Sequence, residues 1–140
     1  MTDEDLLRSL ADLVDRLDPP PADLAARARA ALAERSGAEL SRLLTDSAHT
    51  AEPGLRGAGH VRVLRFADLD LRLELTATGL RVTGLARTGT HAVTRWPGGA
   101  RTTGIDPAGW FHVDGVPPGP VRFVLRRPGR PDLATRWFVA

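Results

Sequence analysis

A chain of 140 residues, 42% hydrophobic and 26% charged, can bury one ordinary core, is too short for two full domains, and has a composition that argues against wholesale disorder. All 19 basic residues are Arg, and Lys, Asn, Gln, Tyr and Cys are absent, which excludes a disulfide framework, a thiolate metal site, a thiol nucleophile, a lysine Schiff base and a P-loop. The net charge of +2 hides an asymmetry, because residues 1–60 hold seven Arg against eleven acids whereas residues 61–140 hold twelve Arg against six.

The opening MTDEDLLRSL is acidic where a secretory signal would be basic. No apolar run approaches the ~18 residues that a membrane span needs, so the expectation is a soluble, cytoplasmic chain with no membrane association. Leu6, Leu7, Leu10, Leu13, Val14 and Leu17 recur at spacings of three and four, which predicts a helix over residues 3–17, with Thr2 and Asp5 set as an acidic capping box. Pro19, Pro20 and Pro21 end it, and the last can open a second helix because its missing N–H would be unpaired there. The Ala-rich stretch that follows carries a narrow stripe of Leu24, Ala28, Ala31 and Leu32. After Ser36 and Gly37 the spacing resumes at Leu40, Leu43 and Leu44, which predicts a third helical piece. A Gly- and Pro-containing stretch then reads as a loop. The expected organisation is a helical segment at 1–48, a linker at 49–60 and a β domain at 61–140.

From residue 61 the apolar period changes from three or four to two. Leu69, Leu71, Leu73 and Leu75 fall on one face of a strand whose other face carries Asp70, Arg72, Glu74 and Thr76. A strand over 61–66 precedes it. One over 80–86 follows, with Gly84 as a candidate bulge. Further strands are predicted around the Pro97-Gly98-Gly99 turn, on either side of the Pro117–Gly119 reversal, and in the closing LATRWFV. Turn signals every 8–12 residues suggest an antiparallel sandwich. The fold class read from the chain is therefore α+β, with two or three N-terminal helices before a sandwich of approximately seven strands.

In DPAGWFHVDGVPPGPVRFVL, the residues Asp106, Gly109, Phe111, Val113, Val116, Pro117, Gly119, Val121, Phe123 and Leu125 fall at the positions of a D-x-x-G-x-F pattern with alternating apolar residues, followed by a Pro-Gly reversal. The stretch resembles the signature of carboxypeptidase regulatory-like domains, the transthyretin (prealbumin)-like β-sandwich modules. Asp106 to Gly109 suits a turn, while Phe111, Val113, Val121, Phe123 and Leu125 are expected in the core. The whole chain also resembles small proteins of high-GC bacteria through Asp18, Pro19, Pro21, Ala38, Glu39, Leu40, Asp46 and Ser47. Genes for such proteins often lie beside those for alternative sigma factors and caspase-like proteins, so the resemblance implies a regulatory or adaptor role.

Candidate chemistry is sparse. His49, His60, His91 and His112 have no short metal-ligand spacing, and no metal or cofactor is expected. Asp46, Ser47 and His49 are the residue types of a hydrolytic triad, yet neighbours so close in sequence rarely adopt its geometry. The transthyretin-like hydroxyisourate hydrolases end in Tyr-Arg-Gly-Ser, whereas this sequence has no Tyr and closes on RWFVA. Without Lys and Asn, an isopeptide crosslink is impossible. The expectation is thus a non-enzymatic protein with no catalytic residues. Arg122, Arg126, Arg127 and Arg130 gather near one strand, but no nucleic-acid fold or aromatic platform accompanies them, which argues against nucleic acid. The expected partner is a protein, bound through Leu6, Leu10, Leu13, Leu17, Leu40, Leu43 and Leu44. The alternative is a small-molecule or carbohydrate surface around Trp110 and His112, with Trp96 and Trp137 as further aromatic candidates. Oligomeric state is left open by the sequence.

Overall fold

Both apolar periods of the sequence are realised in the computed structural model, which describes residues 1–33, 37–49 and 61–140. The chain divides into two units, Met1–Ser36 and Gly37–Ala140. Most of the predicted linker falls outside the described residues.

The first unit holds two helices, α1 (Asp3–Leu17) and α2 (Leu24–Ala33). The capping box expected at Thr2 is present. The Asp5 amide donates to Thr2 Oγ1 at 3.3 Å, and the Thr2 amide donates to Asp5 Oδ2 at 3.1 Å, so two of the helix's orphan N–H groups are satisfied. Asp3, Glu4 and Asp5 in the first turn and Arg16 in the last complement the helix dipole. At the far end the Asp18 amide closes on the Val14 carbonyl, and the prolines stop further propagation. No residue of α1 is buried.

The second unit contains β1 (Glu39–Leu40), β2 (Leu43–Asp46), β3 (Val61–Phe66), β4 (Leu69–Thr76), β5 (Gly79–Ala86), β6 (His91–Trp96), β7 (Gly99–Gly104), β8 (Trp110–Val116), β9 (Pro120–Arg126), β10 (Leu133–Ala134) and β11 (Phe138–Val139). Two sheets form a sandwich-like arrangement. One runs β2-β3-β4-β5-β8, the other β1-β10-β9-β6-β7, with β11 also paired to β9. All pairings are antiparallel except β1 with β10, which is parallel.

The described residues form eleven strands rather than about seven. The additional strands are short segments that the periodicity could not register. The main error concerns Leu40, Leu43 and Leu44, which lie on β1 and β2 and not on a third helix. Glu39 and Leu40 pair with Leu133 and Ala134, whereas Leu43 pairs with Phe66 and Asp46 with Leu64. Backbone partners from distant parts of the chain therefore override a helical spacing carried by only three leucines.

One apolar cluster fills the space between the sheets. Leu64, Leu69, Leu71, Val82, Phe111 and Val113 from one sheet meet Ala92, Val121, Phe123 and Leu125 from the other. All five residues assigned to the core from the Asp106–Leu125 stretch are buried. Leu75, by contrast, is exposed, although Leu80, its partner across the β4–β5 pair, is buried. Gly84 is no bulge either. It pairs in register with Leu71 on one side and Phe111 on the other, and a Cβ there would sit 2.1 Å from the Phe111 ring. The missing side chain is the space that the ring occupies.

The turn before β8 is built as its residues suggest. The Gly109 amide donates to the Asp106 carbonyl at 2.9 Å, and the Trp110 amide donates to Asp106 Oδ1 at 2.8 Å. Gly109 has φ +97°, and a Cβ there would lie 2.4 Å from the Ala86 carbonyl oxygen. Both the backbone conformation and the space require glycine.

Candidate functional site

The two sheets are tied together differently at their two edges. On one side, Arg101 of edge strand β7 donates to the Asp114 carbonyl of edge strand β8. On the other, the chain itself crosses between sheets. The Ser41 amide donates to the Ala134 carbonyl in one sheet, and the Arg42 carbonyl accepts from Ala67, just beyond β3, at the other. Ser41 Oγ is directed inward to Asp68 at 3.0 Å.

Beside this crossing lies a groove of about 490 Å³, within the range typical of small-ligand sites. Leu64, Phe66 and Phe138 contribute its core-facing side, Leu40, Leu43 and Trp137 its more exposed side, and Ser41, Arg42, Asp46 and Arg136 its polar groups. Phe138 is held by aromatic neighbours, its ring centroid 6.1 Å from Phe123 and 6.3 Å from Phe66.

One ion pair fixes the wall of this groove. Arg62 Nε donates to Asp46 Oδ1 at 2.9 Å and its Nη2 to Oδ2 at 2.6 Å, a bidentate fork. The remaining nitrogen donates to the Val139 carbonyl, and the guanidinium carbon lies 5.6 Å from the Phe138 ring centroid. Arg62 thus clamps the last strand to β2. The Arg62 hydrogen bonds hold the Asp46 carboxyl below the ordinary aspartate range. Burial opposes them, and the Ala48 amide adds to the lowering. The same pairing raises the Arg62 pKa.

The Asp46, Ser47 and His49 triple is accounted for by this architecture. Asp46 is committed to Arg62 and to the Ala48 amide. Ser47 Oγ accepts the Val63 amide at 2.9 Å, and His49 is exposed with Nε2 3.7 Å from Asp46 Oδ2. The carboxylate therefore orients backbone and arginine, not a nucleophile's base.

The leucines that the sequence grouped together belong to different units and different kinds of element. Leu6, Leu10, Leu13 and Leu17 form an exposed stripe on α1, while Leu40, Leu43 and Leu44 are exposed on β1 and β2. Of these, Leu40 and Leu43 line the groove. The tryptophans are likewise dispersed: Trp96 packs against the core, Trp110 is exposed on β8 and Trp137 lines the groove. Trp110, His112 and Asp114 occupy the outward positions of β8, as their alternation predicts, with Asp114 paired to Arg81 at 2.9 Å.

The basic cluster is split: Arg122 and Arg127 are turned inward, whereas Arg126 and Arg130 are exposed. Arg122 is 9% exposed and donates to the Thr135 carbonyl. Arg127 is 8% exposed and bridges the Pro131 carbonyl and Glu39. The segment paired alongside β9 brings Arg122 a carbonyl acceptor for its Nε–H, which offsets the cost of burying the guanidinium.

Among the described residues, no three His, Cys, Asp or Glu side chains come together as a metal site, and no helix is long and apolar enough to cross a membrane. Comparison with protein-family models, with curated proteins and with solved structures finds no match.

Proposed function

We propose that the protein is a non-enzymatic interaction module, working as a regulator or adaptor, that engages a protein partner through the leucine face of α1. The observation that carries this reading is that α1 is well capped and amphipathic, yet none of its residues is buried. A fifteen-residue helix is near the lower limit of what stands alone in water. Covering Leu6, Leu10, Leu13 and Leu17 would contribute roughly 1.5–3 kcal/mol for each side chain fully buried. Such a stripe suits the groove of a partner that reads residues spaced three and four apart.

In this reading the second unit is a transthyretin-like sandwich of the carboxypeptidase regulatory-like type. Its two-sheet arrangement and the Asp106–Gly109 turn support that assignment. The partner class implied by the resemblance is a sigma factor or a caspase-like protein, met in the cytoplasm.

The test is affinity capture of the full chain from its native host, compared with a Leu6→Ser/Leu10→Ser/Leu13→Ser variant. The expected result is one stoichiometric protein retained by the wild type and lost from the variant. Recovery of the same proteins by both would sink the assignment.

A further inference from the structure

We propose that the groove beside β2 and β11 is a binding site for a long-chain carboxylate, with the hydrocarbon against Phe66, Phe138 and Trp137 and the head group on Arg42 and Arg136. The groove is lined by residues of the second unit alone, and the proposal does not depend on the function assigned to α1.

Charge decides the kind of ligand. Three charged side chains line the groove, Arg42, Asp46 and Arg136. Asp46 is already neutralised by the bidentate Arg62 fork, whereas Arg42 and Arg136 make no side-chain hydrogen bond or ion pair among the described residues. Many other arginines of this unit have such a partner: Arg81 with Asp114, Arg87 with Asp70, Arg127 with Glu39 and Arg122 with the Thr135 carbonyl. The groove therefore joins an apolar lining to uncompensated positive charge. That combination suits an apolar chain ending in a planar anion, which guanidinium groups can bind through paired N–H donors.

Backbone geometry favours a ligand held by side chains over an added strand. β2 is the edge of its sheet, but its register against β3 shifts between Leu43 and Thr45. A bulge of this kind interrupts the regular row of donors and acceptors that an extended peptide would need. The other bordering edge, β1, is only two residues long.

The experiment is isothermal titration calorimetry of the full chain with dodecanoate, kept below its micelle concentration, with dodecanol as the uncharged comparison. Saturable binding at one site per chain is expected. Dodecanol should bind at least about tenfold more weakly, as should dodecanoate to an Arg42→Gln/Arg136→Gln variant, because each charge-assisted hydrogen bond lost is worth about tenfold or more. Both arginines are exposed, so the variant should unfold at the same denaturant concentration as the wild type, which separates lost binding from lost structure. A Trp137→Ala variant should also weaken dodecanoate binding. Absence of saturable dodecanoate binding, equal affinity for dodecanol, or undiminished binding by the double arginine variant would each overturn the proposal. So would preferential binding of a synthetic acidic amphipathic helix at Arg42 and Arg136, which would make the site a protein-docking surface.

Discussion

Helix α1 and strand β9 are both rich in apolar residues, yet every residue of α1 is exposed while the five central residues of β9, Val121 to Leu125, are all buried. The difference follows from where each element finds its hydrogen bonds. A helix satisfies its backbone internally, so it can form with its leucine face uncovered, and Thr2, Asp5 and Asp18 supply what its ends lack. A strand satisfies nothing by itself. β9 exists because β6 flanks one side and β10 and β11 flank the other, and the same neighbours that complete its ladder also cover its side chains. Of these two elements, the one whose backbone needs no neighbour is the one whose apolar face stays uncovered.

The sharpest test of this contrast is to truncate one residue in each element. Phe123→Ala should cost about 3–5 kcal/mol, because it removes a fully buried ring between the sheets. Leu10→Ala, at a position 55% exposed, should move the denaturant midpoint by no more than about 0.5 kcal/mol. A large loss at Leu10 would break the comparison by showing that the helix face is needed for folding. Gly84→Ala should fall just below Phe123→Ala, at about 1–3 kcal/mol, since the added methyl must displace the Phe111 ring.

A smaller effect is expected at the clamp between β2 and the last strand. Arg62→Met should cost about 2 kcal/mol at neutral pH, because it leaves the buried Asp46 carboxylate without its guanidinium and releases the Val139 carbonyl. The pH dependence has a defined sign. Asp46 has a lower pKa folded than unfolded, so its contribution is complete above the ordinary aspartate range and is lost as pH falls through the folded value. The stability gap between wild type and Arg62→Met should therefore be constant near neutrality and narrow below about pH 4. Urea unfolding at a series of pH values reads this directly, and a gap that widens on acidification would refute the pairing as the cause.

The smallest change in the group is Thr2→Ala, which removes the capping hydroxyl from α1 and should cost about 1 kcal/mol of helix stability. Circular dichroism should record a loss of helical signal while the unfolding midpoint of the β unit stays in place. Coupled loss of both signals would mean that the two regions do not respond independently.

Much of this is legible in the sequence alone. The extent of α1 and its capping box depend on contacts three or four residues apart, and both were readable from Thr2, Asp5 and the leucine spacing. The Asp106–Gly109 turn and the inward set Phe111, Val113, Val121, Phe123 and Leu125 were readable for the same reason, because turn chemistry and alternation are local. Leu40, Leu43 and Leu44 were misread because three leucines at helical spacing also fit two short strands. The choice was made by Leu133, Ala134, Leu64 and Phe66, which lie far away in the sequence.

The candidate site shows the same division in a stronger form. Leu40 and Leu43 were singled out from sequence, but nothing local connected them to Trp137 or Phe138. No residue pattern announced that Asp46 would be neutralised by Arg62 while Arg42 and Arg136 found no charge partner among the described residues. By itself the sequence determined which segments could be helix, turn and alternating strand, because those depend on interactions between near neighbours. Only the tertiary structure decided which apolar side chains were covered and which arginines found acceptors. Strand pairing brings together groups from opposite ends of the chain, and burial and charge compensation depend on that encounter.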